Sequence, residues 1–464
     1  MKIPRFLIAA GASGSGKTLL TCGILKALKN RGLQVASFKC GPDYIDPMFH
    51  SKVIRAKSRN LDTFFTPPEI VRHLLEINCM QQDIAVMEGV MGYYDGIGGT
   101  TSQASAYELA AVTKTPVVFV VNCKGMSVSI LPYIQGFLEF KENSGIRGII
   151  LNQMSPMLYP RVKELIEETL PVKVLGYVPN VKECAIESRH LGLVLPDEVE
   201  QLQEKLGQLA EILEKTIDME ALLALAETAE DISASSPEAF SPDYGFTLDR
   251  PVKIGVARDE AFCFIYEDNL RLLKKMGAEL VYFSPLQDSR LPEGIQGLLL
   301  YGGYPELYAE ALAANTGMLE SIRREFGNGI PVIAECGGFM YLHETMEDME
   351  GCAHRMTGII PGRAYRTPQL NRFGYIYVSS GGGTVFGEPL EQIPAHEFHY
   401  FDSTACGGDF LARKPVGRRS WNCMYGREHM LAGFPHLYYY GKPQIAKAFL
   451  QECSRYAPQS QSNV

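Results

Sequence analysis

The 464-residue sequence lacks the features that would place it among zinc-binding, disulfide-stabilised or membrane proteins. Its eleven cysteines are odd in number and never form a C-x-x-C pair, which indicates neither a zinc site nor a disulfide framework. No run of about 18 apolar residues occurs, which excludes a membrane-spanning helix. A chain of this length buries a core that needs no such reinforcement. We therefore expect reduced cysteines and a cytoplasmic location.

A strong charge of either sign is also missing. The 44 basic and 53 acidic residues leave a net charge of −9, which argues against an unspecific nucleic-acid coat protein. Aromatic residues make up 10% of the chain, and this excludes a disordered or fibrous protein. The apolar stretch 6–10 is too short for a secretory signal and fits a first strand. We expect neither a nucleic-acid nor a membrane partner.

Short apolar segments alternate with helical patterns along the first half. Segments 18–29 and 159–169 have the apolar spacing of helices. Strand segments made almost entirely of Val, Ile and Phe predict a parallel sheet covered on both faces. The predicted strands are 5–10, 34–39, 84–88, 116–122, 148–152 and 172–178.

The second half repeats this alternation of strand and helix patterns after a change in composition. Residues 198–227 are helical and charged, and residues 228–250 are rich in Ser, Pro and acidic residues, as in a linker. Strands are then predicted at 252–257, 280–283, 297–301 and 332–335, with a helix near 266–276. We expect a first domain at 1–227, a linker at 228–250, a second domain at 251–445 and a helix end with tail at 446–464.

Residues 11–18 read G-A-S-G-S-G-K-T, a complete G-x4-G-K-T phosphate loop. The loop follows a predicted strand and opens a predicted helix, as its mechanism requires. Its backbone N–H groups would surround phosphate oxygens, Lys17 would bridge the terminal phosphates and Thr18 would hold Mg²⁺. The alternative is a chance glycine-rich turn. The nucleotide-binding candidates in this loop are Gly11, Gly14, Ser15, Gly16, Lys17 and Thr18.

A nucleotide site also needs a carboxylate for its magnesium. Glu88 ends an apolar strand, the usual position of such an acid. Asp43 and Asp46, in the loop C-G-P-D-Y-I-D-P, are the other candidates. Each carboxylate has the alternative of a solvated loop or helix cap. Lys39, at a strand end, is either a second phosphate contact or an exposed charge.

A second candidate centre lies at Cys336, within P-V-I-A-E-C-G-G-F-M. A buried strand, a cysteine, two glycines and a helical start form the pattern of a nucleophile elbow. The helix N-terminus is expected to lower the pKa of the thiol, and the N–H of Gly337 to face a developing oxyanion. Y-G-G-Y-P-E ends another strand with two glycines, Gly302 and Gly303, which offer a second oxyanion donor. For the other ten cysteines we expect small buried hydrophobes.

A thiol nucleophile needs a base, and the sequence leaves the choice of histidine open. His436, in G-F-P-H-L-Y-Y-Y, has the most suitable place in chain order. His396 and His399, in A-H-E-F-H-Y-F-D, are more typical of structural or substrate-lining positions.

Six segments together with the phosphate loop resemble one known family. G-P-D-Y-I-D-P, E-G-V-M-G and E-S-R-H-L-G-L lie in the first half, and Y-G-G-Y-P-E, E-C-G-G-F and H-E-F-H-Y in the second. In this order, over about residues 3–450, they resemble the cobyrinate a,c-diamide synthase family, the glutamine-dependent amidases of cobalamin biosynthesis.

The resemblance implies an α/β fold with two domains. One is a P-loop domain with a dethiobiotin-synthetase-like parallel sheet, and the other is a flavodoxin-like class I glutamine amidotransferase domain. It implies that ATP, with Mg²⁺, phosphorylates a carboxylate of cobyrinate, and that ammonia from L-glutamine converts the acyl phosphate to an amide, at positions a and c in turn. A homodimer is a further expectation.

The resemblance also implies roles for individual residues. Cys336 and His436 match the nucleophile and its histidine, and Gly303 and Gly337 the oxyanion positions. The ATP and magnesium side comprises Lys17, Thr18, Lys39, Asp43 and Glu88, with Asn122 and Asn152 at adenine-contacting positions. The candidates for contacting the macrocycle are Asp46, Arg59, Asn60, Arg189 and His190.

One departure and three alternatives stay open. Class I amidotransferases often have a glutamate two residues after the histidine, where this chain has Tyr438. The substrate of the same chemistry is alternatively hydrogenobyrinate or nickel-sirohydrochlorin. A partition-type P-loop ATPase is the alternative from another class, but it leaves Y-G-G-Y-P-E and E-C-G-G-F unexplained.

Overall fold

The computed structural model describes residues 2–181, 196–232, 236–427 and 429–457. The chain divides into two compact units, Met1–Ser236 and Pro237–Val464. Within the described residues, no helix is both long enough and apolar enough to cross a membrane.

The first unit is built on a parallel sheet with the strand order β3-β2-β4-β1-β5-β6-β7. All six predicted strands are confirmed, with ends that shift by no more than two residues. The strands are β1 (Arg5–Ala10), β2 (Val35–Cys40), β3 (Lys57–Leu61), β4 (Ile84–Glu88), β5 (Val117–Asn122), β6 (Ile146–Asn152) and β7 (Lys173–Val178). The edge strand β3 was not predicted, because K-S-R-N-L contains a single large apolar residue.

Helices of the first unit follow the strands as parallel connections require. They are α1 (Lys17–Asn30), α2 (Ile45–Lys52), α3 (Pro68–Cys79), α4 (Ala106–Val112), α5 (Ile130–Glu139), α6 (Tyr159–Thr169), α7 (Pro196–Thr216) and α8 (Met219–Glu227). The segment predicted as helical at 198–227 is therefore two helices. Helix α7 packs closely on α1, since a Cβ on Gly23 would lie 2.6 Å from Leu213 Cδ1. This packing fixes the helix that begins at the phosphate loop.

The described residues of the second unit form three sheets. Its strands are β8 (Val252–Ala257), β9 (Ala278–Phe283), β10 (Gly297–Leu300), β11 (Val332–Glu335), β12 (His343–Glu347), β13 (Ala353–Arg355), β14 (Ile360–Arg366), β15 (Arg372–Ser380), β16 (Ile393–His399), β17 (Phe401–Ser403), β18 (Phe410–Arg413), β19 (Ser420–Cys423), β20 (Tyr425–Arg427), β21 (Met430–Gly433) and β22 (His436–Leu437). Its helices are α9 (Glu267–Lys275), α10 (Ala309–Ala314), α11 (Thr316–Gly327), α12 (Gly337–Tyr341) and α13 (Gln444–Arg455).

The main sheet of this unit has the order β20-β21-β11-β10-β8-β9 and is parallel except for the edge strand β20. The four predicted strands of the second half, β8 to β11, all lie in it, so the predicted α/β class is confirmed. The other two sheets, β13-β12-β14-β17 and β19-β18-β15-β16-β22, were not predicted. Most of their strands alternate buried and partly exposed residues and lack continuous apolar runs.

The two units meet in sequence at Ser236 and Pro237, inside the segment 228–250. Before this point the carbonyl of Glu230 accepts a 2.7 Å bond from Arg5 of the first unit. After it, Tyr244 is buried in the second unit and donates a 2.6 Å bond to the carbonyl of Tyr440. Both ends of this segment therefore pack on the unit to which they belong.

Candidate active site

The phosphate loop joins β1 to α1 in a conformation that requires glycine. Gly14 and Gly16 have φ of 75° and 88°, a region that L side chains rarely adopt. A Cβ on Gly11 would lie 1.9 Å from the hydroxyl of Tyr133 on α5. Lys17 is buried and donates to the carbonyls of Ala12 (3.0 Å) and Met91 (2.6 Å). Burial lowers the pKa of Lys17 to about 8, and the nearby Lys39 adds to the shift.

Glu88 lies beside this loop at the end of β4, where its carboxylate is fully buried. The hydroxyl of Thr18 donates a 2.6 Å bond to Glu88 Oε1, and Lys39 Nζ lies 2.8 Å from the same oxygen. Lys39 also forms an ion pair with Asp46. Burial raises the pKa of Glu88, and the Lys39 ammonium opposes that shift. Lys39 is thus bonded to carboxylates, and the alternative of an exposed charge is wrong.

These oxygens suit a hard divalent cation. Mg²⁺ prefers carboxylate and hydroxyl oxygens together with phosphate. Glu88 Oε2 is buried and has no hydrogen-bond partner within the described residues, so one carboxylate oxygen is available as a ligand. The glycine conformations likewise leave the loop backbone open to phosphate. The arrangement therefore fits both a nucleotide triphosphate and its magnesium.

Three further candidates on this side, Asp43, Asn60 and Arg59, have local structural contacts. Asp43 Oδ1 accepts the N–H groups of Ile45 (2.8 Å) and Asp46 (3.2 Å) at the start of α2, which is the helix-cap alternative. Burial, with the charge of Asp46, raises the pKa of Asp43 to about 6. Asn60 Nδ2 donates to the carbonyls of Gly41 (2.9 Å) and Asp43 (2.6 Å). Arg59, on β3, donates a 2.6 Å bond to the carbonyl of Ser58. Arg189 and His190 lie outside the described residues.

Asn122 and Asn152 lie side by side at the ends of β5 and β6. Asn152 Nδ2 donates a 2.9 Å bond to the carbonyl of Ser15, and a Cβ on Gly16 would lie 2.4 Å from this nitrogen. Asn122 Oδ1 accepts the N–H of Lys124 at 3.2 Å. Asn152 therefore supports the phosphate loop itself, a contact that the sequence did not predict.

In the second unit, Cys336 has the geometry of a nucleophile elbow. It joins β11 to α12 with φ of 49° and ψ of −106°, a strained conformation for a residue with a side chain. Its N–H donates a 2.8 Å bond to the carbonyl of Gly433 on the neighbouring strand. A Cβ on Gly338 would lie 2.0 Å from the carbonyl oxygen of Leu300, so the elbow requires a glycine there. The strand–turn–helix predicted around Cys336 is confirmed.

Two backbone amides lie next to this elbow. A Cβ on Gly337 would lie 3.2 Å from the amide nitrogen of Gly303, so the two predicted oxyanion donors are neighbours. Gly303 itself is packed against the backbone, where a Cβ would lie 2.1 Å from the carbonyl oxygen of Ala261. Paired N–H groups beside a nucleophile can stabilise a tetrahedral oxyanion.

His436 shares one small space with Cys336. A Cβ on Gly302 would lie 2.7 Å from His436 Cε1 and 3.3 Å from Cys336 Cβ, so Gly302 keeps this space open. His436 is buried on β22, opposite His396 of β16, and its Nδ1 lies 3.8 Å from Glu335 Oε2. His399 instead stacks on Phe434 at 4.0 Å. The structure therefore brings His436, of the candidate histidines, to the cysteine.

The predicted lowering of the Cys336 pKa is wrong. Burial raises the pKa of the thiol, and the charge of Glu306 adds to this, while the N–H of Gly337 lowers it by a smaller amount. A thiol in this setting needs a base to remove its proton.

The prediction that the other cysteines are buried is also wrong for Cys352, which is exposed, and for the half-exposed Cys263 and Cys406.

The roles of three residues at these sites were not predicted: His50, Gly302 and Glu335. His50 is fully buried, bonded to Ser37 at 2.9 Å, and its Nε2 lies 3.7 Å from Glu88 Oε2. Gly302 adjoins the predicted Gly303 in Y-G-G-Y-P-E, and Glu335 adjoins Cys336. Adjacency to a nucleophile or oxyanion residue was the only signal for the last two, and His50 gave none.

Comparisons with known proteins agree with this division. The CobQ/CobB/MinD/ParA nucleotide binding domain matches residues 6–194, and the CobB/CobQ-like glutamine amidotransferase domain matches residues 253–418. The second match accounts for the motifs that a partition-type ATPase leaves unexplained. A solved structure, the MinD cell division protein of Aquifex aeolicus, aligns at 18% identity over 50% of this chain and 99% of that chain, with a TM-score of 0.28. That likeness adds nothing to the assignment.

Full-length relatives give a more specific similarity. A cobyrinate a,c-diamide synthase of Caldanaerobacter subterraneus is 38% identical over 454 residues, covering 97% of this chain and 98% of that protein. The protein of the same name from Salmonella typhimurium is 38% identical over 97% of this chain and 98% of its own length. The protein of the same name from Thermoplasma volcanium is 37% identical over 98% of this chain and 99% of its own length.

The fold, the two sites and the matching domains define an enzyme that joins a P-loop nucleotide-binding domain to a glutamine amidotransferase domain. Within that class, the chain belongs to the cobyrinate a,c-diamide synthase family of glutamine-hydrolysing ligases.

Proposed function

We propose that this enzyme converts the a and c carboxylates of cobyrinate to amides, with ATP and L-glutamine as co-substrates. The observation that carries the amidotransferase assignment is the space at Gly302, which Cys336 and His436 share beside the paired amides of Gly303 and Gly337. The names of the relatives support cobyrinate as the substrate.

In the glutaminase reaction, Cys336 Sγ attacks the side-chain amide carbon of glutamine while His436 takes the thiol proton. The carbonyl oxygen becomes an oxyanion, which the N–H groups of Gly303 and Gly337 stabilise. His436 then returns the proton to the departing nitrogen, which leaves as ammonia. Water hydrolyses the thioester and releases glutamate, so Cys336 is regenerated.

In the synthetase reaction, a substrate carboxylate oxygen attacks the γ-phosphorus of ATP and ADP leaves. Ammonia then attacks the acyl phosphate, and an amide and phosphate are formed. The phosphate-loop amides and Lys17 hold the phosphates and balance their charge. Thr18 and Glu88 would hold Mg²⁺, which when bound draws charge from the transferring phosphoryl group. Asp43 would act on this side through the loop that it caps.

We propose that cations recognise the carboxylates of the macrocycle, with Arg59, Arg189 and His190 as the residues concerned. Asp46 and Asn60 would contribute by holding the loop between β2 and α2, since Asp46 pairs with Lys39 and Asn60 bonds to backbone carbonyls of that loop. Asn122 and Asn152 would border the adenine, with Asn152 also supporting Ser15.

Mass spectrometry of the reaction products tests this proposal. Cobyrinate, hydrogenobyrinate and nickel-sirohydrochlorin are each incubated with the enzyme, glutamine and Mg-ATP. We expect two successive replacements of hydroxyl by amine on cobyrinate, faster than on the other two. Exclusive amidation of either alternative would overturn the choice of substrate, and no amidation of any of them would overturn the proposed reaction.

A further inference from the structure

The residue that precedes the nucleophile faces the candidate catalytic histidine. Glu335 Oε2 lies 3.8 Å from His436 Nδ1, and both side chains are 2% exposed. The same oxygen accepts the N–H of Leu437, the next residue after the histidine, at 3.3 Å. Glu335 Oε1 has no hydrogen-bond partner within the described residues. A buried carboxyl oxygen without a partner costs stability, so its presence needs an explanation.

We propose that Glu335 is the positioning residue for His436, in place of the glutamate that other class I amidotransferases have two residues after the histidine. This inference rests on the proposed glutaminase reaction. At 3.8 Å, Glu335 Oε2 and His436 Nδ1 are at ion-pair rather than hydrogen-bond distance, and catalytic hydrogen bonds of this kind tighten when substrate binds. A carboxylate that then accepts Nδ1–H would fix the imidazole tautomer and leave Nε2 as the proton acceptor for Cys336 Sγ. Once the thiol proton is on Nε2, the negative charge of Glu335 stabilises the imidazolium. Glu335 itself gains no proton, which passes from sulfur to His436 and then to ammonia.

Tyr438 stands at the position where other class I amidotransferases have the glutamate, and its side chain contacts other residues. Its hydroxyl lies 3.4 Å from Asp268 Oδ2, and its ring packs edge-on against Tyr266 with centroids 5.1 Å apart. Asn269 holds the backbone on both sides of Tyr438, since its side chain donates to the carbonyl of Leu437 and accepts the N–H of Tyr439, each at 2.8 Å. The backbone after His436 is therefore fixed with Tyr438 held at Asp268, and a carboxyl group that lies beside the imidazole is that of Glu335.

Other ionisable groups surround this pair, and among them Glu306 lies close enough to the Cys336 thiol for its charge to add to the increase that burial causes in the pKa of that thiol. His396 lies opposite on β16, and the charge of His399 would disfavour a positive His436. The hydroxyl of Tyr301, directly after β10, donates to that of Tyr439 at 3.4 Å, and burial raises the pKa of both hydroxyls. Of the remaining buried acids, Glu397 lies 4.0 Å from His399 Nε2.

Burial makes charge on either partner alone expensive. It raises the pKa of Glu335, and it lowers the pKa of His436 to about 3. An imidazolium formed here therefore needs an opposite charge close by, because desolvation penalises an isolated buried ion. Glu335, 3.8 Å from Nδ1, supplies that charge in its ionised form, and the imidazolium in turn offsets the desolvation that raises the pKa of Glu335.

The test measures glutamine hydrolysis by Glu335→Gln across pH, with ammonia-driven amidation as the check on folding. We expect kcat to fall roughly 100-fold, as when a base is poorly oriented, with KM little changed. In a plot of kcat against pH, the acidic limb should move to lower pH in Glu335→Gln. Loss of the negative charge of Glu335 lowers the pKa of His436. Glu335→Asp should restore part of the rate. Tyr438→Phe is the matched control, and it should have the wild-type kcat and the wild-type position of the acidic limb.

The inference is overturned if Glu335→Gln keeps wild-type glutaminase activity, or loses activity without any movement of the acidic limb. If this variant does not fold, ¹⁵N spectra of histidine in the wild-type enzyme decide, with His436→Gln to assign the signal. A proton on Nδ1 of neutral His436 agrees with the inference, and a proton on Nε2 contradicts it. Failure of the proposed function itself would look different, since Cys336→Ala would then still hydrolyse glutamine.

Discussion

The hydroxyl of Thr18 donates a 2.6 Å hydrogen bond to Glu88 Oε1, across 70 positions of sequence. This bond joins the first turn of α1 to the end of β4, next to the phosphate loop. Sequence patterns placed each residue separately at the end of a loop or a strand. The fold turns the two oxygens into one candidate site for magnesium.

The first prediction concerns this pair. Glu88→Gln should reduce amidation at least about 100-fold with either glutamine or ammonia, because charge stabilisation of the phosphoryl group is lost with the metal. Glutamine hydrolysis measured without ATP should persist, since the cysteine site is unchanged. Unchanged ammonia-driven amidation by Glu88→Gln would rule out its role on the magnesium side.

The second prediction is about stability. Lys39 is buried between the fully buried Glu88 and the partly buried Asp46, so Lys39→Met leaves both carboxylates without this cation. We expect the free energy of unfolding to fall by about 3 to 5 kcal/mol, as for other broken buried ion pairs. Arg290, exposed and paired only at 3.4 Å with the exposed Glu293 three residues on, is the control, and Arg290→Ala should cost less than about 1 kcal/mol. Equal midpoints of the two variants in urea unfolding would refute the buried-pair account.

The third prediction uses a glycine whose role sequence reasoning missed. A side chain at Gly302 would lie 2.7 Å from His436 Cε1 and 3.3 Å from Cys336 Cβ. Gly302→Ala should therefore abolish glutamine hydrolysis and spare ammonia-driven amidation. Gly327→Ala is the control, because a Cβ there has no heavy atom within 4 Å. The account of the shared space fails if Gly302→Ala hydrolyses glutamine as fast as Gly327→Ala does.

The fourth prediction concerns pH and stability. Burial raises the pKa of Glu397 from 4.5 to about 7, with the charge of Arg372 opposing the shift. The folded state therefore holds this proton more tightly than the unfolded chain does, and stability from this group falls as pH rises from about 4.5 to about 7. At about 1.4 kcal/mol per pKa unit, the loss is about 3.5 kcal/mol at most. Glu397→Gln should flatten this decline in unfolding free energy, and an unchanged slope would contradict the assignment.

The sequence was most informative where one physical signal dominates. The strands at 84–88 and 332–335 are fully buried runs of apolar residues ending in a glutamate, so both position and type were predicted correctly. Strand β15 was missed, because its residues alternate between partly and fully buried and carry polar side chains. Such half-exposed antiparallel strands give no continuous apolar run.

The candidate sites, like the strands, could be predicted only where a local sequence pattern defines them. Cys336 and Gly337 are neighbours in sequence, so the elbow could be predicted from a local pattern. Glu335 was adjacent too, but its partner His436 comes from a strand that follows the whole antiparallel region. The net pKa of the Cys336 thiol was also inaccessible, because it depends on burial and on Glu306 rather than on the helix behind it.

The central claim is that one chain holds separate sites for glutamine and for ATP. Its most direct test is amidation of cobyrinate by Cys336→Ala with glutamine and, separately, with ammonium, followed by mass spectrometry. We expect no amidation with glutamine and wild-type amidation with ammonium, whereas Lys17→Ala should fail with both. Full glutamine-driven amidation by Cys336→Ala would contradict the assignment of the nucleophile and with it the two-site account.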